Sequence, residues 1–280
     1  MEELFKKTAD FKYSSLKYLN LEEFQTILPE DIIIDKPGVF ALCRYIDHRH
    51  NIFWAADSEQ AFMNTLLELT SRLTQLHTDG LETIYIEFIH PDFIPAMEAI
   101  GFTVVSDFID FWNENILTSV TSASVVGSSI SIRNIELHEY KQASLITQAC
   151  KEVSRGFYGE ELEFIQEWNE ADHSCVLVAE LHKEVVGVCL LNIYGFESDN
   201  GPILWLRQLA VDPNYHNKGI GTLLITKGLR WGVTNGAKQS FLAVDRENKN
   251  AIKIYNKSGY TYNDTLGQIN MAFVQKVGLH

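Results

Sequence analysis

The chain has 280 residues, a formal net charge of −14 at pH 7 and a 46% share of hydrophobic residues. A chain of this length and composition can bury a sizeable core and favours two domains over one. Its acidic balance disfavours a nucleic-acid partner, and no apolar run is long enough to cross a bilayer, so no membrane association is expected.

In the first half of the chain, a helix is expected to begin after Ser58, a typical N-cap residue. One apolar stripe at helical spacing supports it and comprises Phe62, Leu66, Leu69, Leu73 and Leu76. The segment from Thr83 to Phe102 then predicts a strand, a loop and a helix that ends in glycine followed by an aromatic residue.

The segment from Thr121 to Ser129 is small and polar and is the expected linker, although Val125 and Val126 could equally extend a strand. We therefore predict two domains, residues 1–125 and residues 126–280. The second is expected to begin as a regular alternation of strands and helices. The predicted elements are a strand at 130–133, helices at 137–153 and 160–168, and strands at 175–181 and 185–194 joined by a hairpin turn at 182–184.

The segment that begins at Leu209 has the composition of an anion-binding turn. Pro213 ends a strand because proline has no backbone donor, and polar turn formers continue to Lys218. Gly219 and Gly221 then open a helix. Glycine lets the backbone approach a ligand closely, and the first-turn amides of a helix are unpaired and carry partial positive charge. Such groups bind phosphates.

Neither common phosphate-loop motif fits this segment. The dinucleotide fingerprint requires a third glycine where Leu224 stands, and the other motif requires a lysine between Gly221 and Thr222. A single Gly-x-Gly after a strand can also be an ordinary tight turn, because glycine is common in loops. The loop alone therefore leaves its function open.

A second block lies downstream of this loop. Residues 240–244 predict a buried strand, Asn248 follows it, and a short helix carrying Tyr255 is expected to end at Gly259. The helix is indicated by Ala251, Ile252, Ile254 and Tyr255.

Together the two blocks resemble the GCN5-related N-acetyltransferases (GNAT). That family carries Leu-x-Val-x-Pro followed by Gln/Arg-x-x-Gly-x-Gly/Ala, and further on Asn-x-x-Ala-Ile-x-x-Tyr-x-x-x-Gly and an aromatic residue. This chain matches both patterns in the same order, except that His216 stands where the family usually has Gln or Arg. The amide cradle depends on backbone and is unaffected, whereas a side-chain contact from position 216 is in doubt.

The resemblance implies acetyl-CoA as co-substrate and a set of residues that bind it. Unpaired amides around Gly219 and Gly221 would hold the diphosphate, and the strand end would pair with the pantetheine arm as an added strand would. The residues expected to bind the co-substrate are Leu209, Ala210, Val211, His216, Asn217, Lys218, Gly219, Ile220, Gly221, Thr222 and Asn248.

Transfer of an acetyl group from a thioester to an amine needs donors for the developing oxyanion and an acid for the departing sulfur. Tyr255 is the predicted acid, as the matching tyrosine is thought to be across the family. The alternative is a core tyrosine with a satisfied hydroxyl, because aromatic residues at helical spacing usually pack inward.

The general base is harder to assign. Many relatives place a glutamate on the first of the two strands, but residues 203–209 contain no carboxylate, and Trp205 stands in that place. Other candidates are Glu197, Asp199 and Asp245, each of which could equally be a solvated loop carboxylate, because exposed acids are the norm. The base therefore stays unassigned.

The first half of the sequence repeats part of the pattern found in the second half. The first half has the same order of strand, loop and helix, and it also ends in glycine followed by an aromatic residue. Gly101 stands 158 residues before Gly259, and we interpret this repetition as a tandem duplication. The first copy lacks the phosphate loop, because residues 56–63 contain no glycine and two acids. We therefore expect an α/β (α+β) fold with two GNAT-like domains, each a mixed, mostly antiparallel sheet flanked by helices, of which only the C-terminal one is complete.

The predicted function is an acetyl-CoA-dependent N-acetyltransferase in which a primary amine attacks the thioester directly. The alternative is a non-catalytic module that binds CoA or a protein partner. The acceptor could be a small-molecule or a peptide amine. The loop from Ser154 to Glu161, where relatives shape the acceptor site, contains acids that suit a cationic acceptor or only the helix dipole. A homodimer is one arrangement left open.

Two further expectations concern redox state and metals. The four cysteines include no Cys-x-x-Cys pair, and the first twenty residues do not resemble a signal peptide, which favours a reducing, cytoplasmic environment. The only histidine cluster is Asp47-His48-Arg49-His50, and two histidines without a third converging ligand are typical of an exposed turn. We therefore expect no bound metal.

Overall fold

A computed structural model of the chain describes residues 2–19, 21–46, 49–76, 83–122, 129–151, 153–263 and 267–274. Within them the chain forms two compact units, each with a sheet and helices. The first unit runs to Asp107 and resumes at Gln268, and the second extends from Phe108 to Gly267. The predicted α/β architecture with mostly antiparallel sheets is confirmed.

The first unit alternates short helices with strands. Its elements are α1 (Glu2–Ala9), β1 (Tyr13–Ser14), α2 (Leu21–Gln25), β2 (Ile32–Lys36), β3 (Val39–Ile46), β4 (Arg49–Ala56), α3 (Glu59–Leu76), β5 (Thr83–Ile86), α4 (Ile94–Ala99), the start of β6 (Thr103–Asn113) and β13 (Gln268–Val274). Strands β2 to β4 are antiparallel, and β4 and β5 are parallel over three residue pairs. The core is rich in aromatic residues, among them Trp54, Phe62 and Phe93.

The helix predicted after Ser58 is present as α3, and the Ser58 hydroxyl accepts a hydrogen bond from the Ala61 N–H at 3.2 Å. Phe62, Leu66 and Leu69 of the predicted stripe are buried. The side chains of Leu73 and Leu76 lie outside the described residues.

The exposed turn expected at the histidine cluster is wrong for His50. This residue lies in β4 and is only 7% exposed, because β4 is paired on both sides. Asp47 and His48 lie outside the described residues. Among the residues that the structure describes, no group of three or more His, Cys, Asp or Glu is arranged to hold a metal ion.

The second unit is the larger one. Its elements are the end of β6, α5 (Ile116–Ser122), β7 (Ile130–Asn134), α6 (Tyr140–Ala149), α7 (Leu162–Glu170), β8 (Ser174–Leu181), β9 (Glu184–Tyr194), β10 (Ile203–Val211), α8 (Ile220–Thr234), β11 (Gln239–Asp245), α9 (Lys249–Lys257) and β12 (Thr261–Tyr262). The predicted strands and helices are all present, although α6 is shorter than expected. Most of the linker predicted at 121–129 lies outside the described residues.

Two layers of helices cover the sheet of the second unit. Strands β7 to β10 are antiparallel, β10 and β11 are parallel, and β11 is antiparallel to the end of β6. On one face α8 packs against the sheet, and on the other α6 and α7 do so. Strand β10 therefore lies between the two helical layers.

Each unit contains one strand from the other half of the sequence. Phe108 to Asn113 of β6 pair with β11 in the second unit, whereas β13 pairs with β5 in the first unit. The spatial units are thus not divided at residue 125, because each sheet is completed by a strand distant in sequence. The division into residues 1–125 and 126–280 stays a prediction about the two copies of the repeat.

The proposed repeat is supported by a feature common to both units. In each, a helix after the parallel strand ends in a glycine with positive φ, 98° at Gly101 and 87° at Gly259. The following aromatic residue, Phe102 or Tyr260, is 1% exposed. We retain the degenerate first copy as a proposal.

Replacement of Gly259 by alanine should destabilise the protein strongly. A Cβ at this position would lie 2.4 Å from the Ser119 hydroxyl oxygen and 3.0 Å from the Asn113 amide nitrogen, and the positive φ adds strain. We expect a loss of about 2–4 kcal/mol in the free energy of unfolding. Gly236→Ala is the matched control, because Gly236 has φ +92° with nothing within 4 Å of an added Cβ. It should cost only about 1–2 kcal/mol. Equal losses in urea denaturation would contradict the steric account.

Candidate active site

Strands β10 and β11 separate near the middle of their length. They pair only from Ile203 opposite Gln239 to Trp205 opposite Phe241. Beyond this point β10 stays with β9 to Val211, and β11 stays with β6 to Asp245. A wedge therefore opens between two parallel strands, and the edge of β10 that faces it lacks a strand partner in the described fold.

A bulge in β10 lies beside the opening. The register with β9 shifts between Leu206 and Gln208, so Arg207 is the extra residue. A bulge locally turns the strand and redirects its side chains. Here it brings the side chains of both Arg207 and Gln208 to the α6–α7 face, where they form a hydrogen bond with each other at 3.1 Å.

The loop that follows β10 ends in a set of unpaired main-chain donors. Asn217 and Gly219 have positive φ, 62° and 78°, and Gly219 is the N-cap of α8. In the described part of the chain, no acceptor pairs with the main-chain N–H groups of residues 217–222, and the first internal bond is from the Leu223 N–H to the Gly219 carbonyl. The first turn of α8 contains no acidic residue. This geometry suits an anion.

The glycines leave space at this helix terminus. Nothing lies within 4 Å of a Cβ added to the exposed Gly219, whereas Gly221 is buried and a Cβ there would be 3.7 Å from the Leu209 side chain. Ile220 is buried and Thr222 is exposed, so the helix is anchored by one side of its first turn and open on the other. These features fit the diphosphate that the resemblance implies.

His216 turns back onto the end of β10. Its Nε2 lies 2.7 Å from the carbonyl oxygen of Val211, and because a carbonyl only accepts, the imidazole donates. The same oxygen accepts the Cys150 thiol at 3.3 Å. The Val211 carbonyl is thus already occupied by two donors of the protein itself. The ring of Tyr215 lies under the Lys218 ammonium at 4.6 Å.

Tyr255 lies on α9 and is 7% exposed. Its hydroxyl forms no hydrogen bond with any residue that the structure describes, and burial raises the pKa of the phenol well above its ordinary value. Its neighbour Tyr260, 6.0 Å away between ring centroids, is also buried but pairs with the Ser240 hydroxyl at 2.6 Å. A core tyrosine with a satisfied hydroxyl therefore describes Tyr260, not Tyr255.

Asn248 has a structural role that the sequence did not assign to it. Its side-chain oxygen accepts a hydrogen bond from the Ala251 N–H at 3.1 Å and caps α9. It thereby fixes the start of the helix that carries Tyr255.

The carboxylates considered as bases differ in their surroundings. Glu197 and Asp199 are exposed, as expected of loop residues. The expectation of a solvated loop position is wrong for Asp245, which is 1% exposed and pairs with Arg155 at 3.2 Å. Its burial follows from the α6–α7 loop, which brings Arg155 onto the end of β11.

Sequence reasoning missed the pairing of Glu160 with Arg207. Their Oε1 and Nη1 atoms are 2.7 Å apart, and the guanidinium lies 4.7 Å from the Phe164 ring and 5.3 Å from the Trp168 ring. The bulge that directs Arg207 to this side has no local sequence signal, so only the acids of the 154–161 loop indicated this region.

Residues 138–260 match the model of the Acetyltransferase (GNAT) family. This part of the chain is a GNAT domain. It includes the separated strands, the loop before α8 and the helix with Tyr255, and the family to which it belongs uses acetyl-CoA.

Curated relatives match shorter stretches. The chain is 33% identical over 99 residues to N-alpha-acetyltransferase 30 of Xenopus laevis, a match that covers 35% of this chain and 34% of that protein. It is 36% identical over 55 residues to an uncharacterized N-acetyltransferase, MJ1207, of Methanocaldococcus jannaschii, covering 20% and 24%. The chain therefore spans about a third or less of the length of these relatives.

Solved structures resemble a larger part of the chain. A GCN5-related N-acetyltransferase from Sphaerobacter thermophilus has a TM-score of 0.60 at 14% identity and covers 85% of this chain and 76% of its own. One from Kribbella flavida has a TM-score of 0.53 at 11% identity and covers 86% and 88%. At such low identity these likenesses establish the fold alone, and they extend beyond the GNAT domain. Separately, none of the helices in the described residues has the length and apolar character of a membrane span.

A negative charge in the first turn of α8 should affect stability and ligand binding in opposite directions. Thr222→Glu places a carboxylate beside the unpaired N–H groups, which should stabilise the helix by about 0.3–1 kcal/mol. The same charge would repel a diphosphate and should weaken CoA binding by about tenfold. Calorimetry and thermal unfolding measure the two effects. Thr222→Gln is the neutral control, and CoA affinity equal in both variants would contradict anion binding here.

Proposed function

We propose that the GNAT domain is an acetyl-CoA-dependent N-acetyltransferase that transfers an acetyl group to a primary amine, most simply that of a small molecule. The observation that carries the proposal is the row of unpaired N–H groups at residues 217–222 beside the wedge between β10 and β11. Both curated relatives are named as N-acetyltransferases.

The co-substrate would be held by main-chain groups. The N–H groups of residues 217–222 would bind the diphosphate, with Lys218 and Thr222 at the exposed rim. The open edge of β10 at Leu209 and Ala210 would pair with the pantetheine arm, which would direct the thioester into the wedge. When bound, acetyl-CoA supplies an activated carbonyl that an amine attacks directly, so no covalent enzyme intermediate is required.

The protein contributes proton transfer and polarisation. Main-chain N–H groups at the bulge of β10 are suited to polarise the thioester carbonyl, because donors that are fixed in advance need no reorganisation during reaction. Tyr255 is suited to protonate the departing sulfur, because its hydroxyl has no hydrogen-bond partner among the described residues and the phenol, whose pKa burial raises, is protonated at neutral pH. The amine would approach from the face of the sheet opposite Tyr255.

A non-catalytic CoA-binding module is the second candidate. It is favoured by the absence of a carboxylate on β10, where Trp205 takes the place of the glutamate found in many relatives. Release of free thiol from acetyl-CoA in the presence of a panel of amines distinguishes the two candidates. The enzyme should release thiol and form acetylated amine in equal amounts, whereas the module should show only background hydrolysis.

Replacement of Tyr255 by phenylalanine should leave CoA affinity and thermal stability nearly unchanged, because the lost hydroxyl bonds to none of the residues that the structure describes. Turnover should fall by about 10²-fold or more, which is the usual effect of removing a general acid. Thiol release under saturating acetyl-CoA measures this loss.

The control is Tyr260→Phe, which removes the hydroxyl bound to Ser240 at 2.6 Å. This variant should lose about 1 kcal/mol of stability and keep most of its turnover. Unchanged turnover in Tyr255→Phe, or equal losses in both variants, would remove Tyr255 from the mechanism.

A further inference from the structure

The sheet face opposite α8 carries a row of aromatic side chains in the GNAT domain and the strand beside it. Trp205 of β10 is opposite Phe241 of β11, which is opposite Trp112 of β6. Residues directly opposite each other point to the same face of a sheet. The rings of Phe241 and Trp112 are 5.0 Å apart, and Trp168 of α7 meets Trp205 edge-on at 5.8 Å. All three aromatic residues of the row are only partly buried.

This part of the face is open to solvent. Ala243, two residues after Phe241 on the same face of a central strand, is exposed. By contrast, Leu242 and Val244 on the other face are 1% and 5% exposed, because α8 covers them. The sheet surface at Ala243 is therefore an uncovered groove, with the aromatic row at one end. The groove lies beside the wedge, where β10 and β11 are no longer paired.

One carboxylate in this groove has no countercharge among the residues that the structure describes. Asp110 of β6 is directly opposite Ala243 and shares its face. Its side chain is half-buried, and no described residue forms an ion pair or hydrogen bond with it. Burial raises the pKa of Asp110, and burial, with a smaller contribution from the Asp110 charge, raises the pKa of Tyr194 at the end of β9. A desolvated carboxylate of this kind is stabilised by a bound cation.

Two other carboxylates on this face of the sheet are already paired. Glu160 pairs with Arg207, and Asp245 pairs with Arg155, at 2.7 and 3.2 Å. Of these three carboxylates, Asp110 is the one without an ion-pair partner among the described residues, so it can bind a positively charged acceptor. A protonated amine held there would lie next to the wedge, since only the small side chain of Ala243 separates Asp110 from it.

We propose that the acceptor is a primary amine carried on an aromatic or similarly flat apolar body, which lies on Trp205, Phe241 and Trp112 while its ammonium group binds Asp110. This inference rests on the N-acetyltransferase activity proposed above and names its substrate class. Aromatic rings attract both flat apolar groups and cations, and the carboxylate selects the charged end. Asp110 and the aromatic row are therefore specificity-determining residues contributed in part by the N-terminal half of the sequence.

The test compares amines of equal charge as acceptors. Tryptamine and 2-phenylethylamine should give kcat/KM values at least about tenfold above those of butylamine and hexylamine, which are monoamines of the same charge, as expected for one or two stacking contacts. Thiol release from acetyl-CoA, with mass-spectrometric detection of the product, measures each rate. A preference for the aliphatic amines, or for an unstructured peptide with a free N-terminus, would overturn the inference.

Asp110→Asn should raise the KM for tryptamine about 10- to 100-fold, as expected for loss of a charged hydrogen bond, and leave CoA affinity unchanged. The control is Asp172→Asn, which removes the same charge from an exposed turn of the same unit. It should change neither the KM for tryptamine nor the CoA affinity. Trp112→Phe, a conservative change, should lower the ratio of kcat/KM for tryptamine to kcat/KM for butylamine. An unchanged KM in Asp110→Asn would overturn the role of Asp110.

The two proposals fail in different ways. Loss of CoA binding, or absence of thiol release with every amine, would overturn the enzyme itself. Efficient acetylation of aliphatic amines with no effect of Asp110→Asn would overturn only the substrate class.

Discussion

The unpaired main-chain N–H groups at the start of α8 are the feature on which the rest of the site depends. A helix always leaves its first amides without internal partners, and here neither a side-chain cap nor an acidic residue in the first turn satisfies them. Their position is fixed because Ile220 and Gly221 are buried against the sheet, while the positive φ of Gly219 turns the chain into the helix. The donors therefore lie at the rim of the wedge between β10 and β11. A long ligand whose phosphates bind at this rim can place its other end inside the wedge.

The wedge also joins two faces of the sheet that have different chemistry. On the α8 side, Tyr255 presents an unpartnered hydroxyl within a closely packed apolar cluster. On the other side, aromatic rings and Asp110 border an open strip of sheet. A thioester lying between the strands would be reached by an acid from one side and by an amine from the other. The arrangement depends on strand β6, whose residues from Phe108 onward complete the sheet of the second unit.

Local sequence patterns predicted the parts of the site that are local in structure. The strand end, the proline, the two glycines and the helix with Tyr255 each lie within one short segment, so spacing alone indicated them. Asp110 could not be found in this way, because its place opposite Ala243 depends on the pairing of strands about 130 residues apart in sequence. The same holds for the burial of Asp245 by Arg155 and for the bulge at Arg207, since both depend on tertiary contacts. His50 was misjudged for a related reason, because its strand is paired on both sides.

Titration calorimetry with CoA and with pantetheine, which lacks the diphosphate and the 3′-phosphoadenosine attached to it, tests the central claim most directly. If the N–H groups of residues 217–222 hold the diphosphate, CoA should bind measurably and pantetheine should bind at least about 100-fold more weakly, which corresponds to the loss of two or three charge-assisted hydrogen bonds. Equal affinity for the two compounds, or no detectable binding of CoA, would contradict the account.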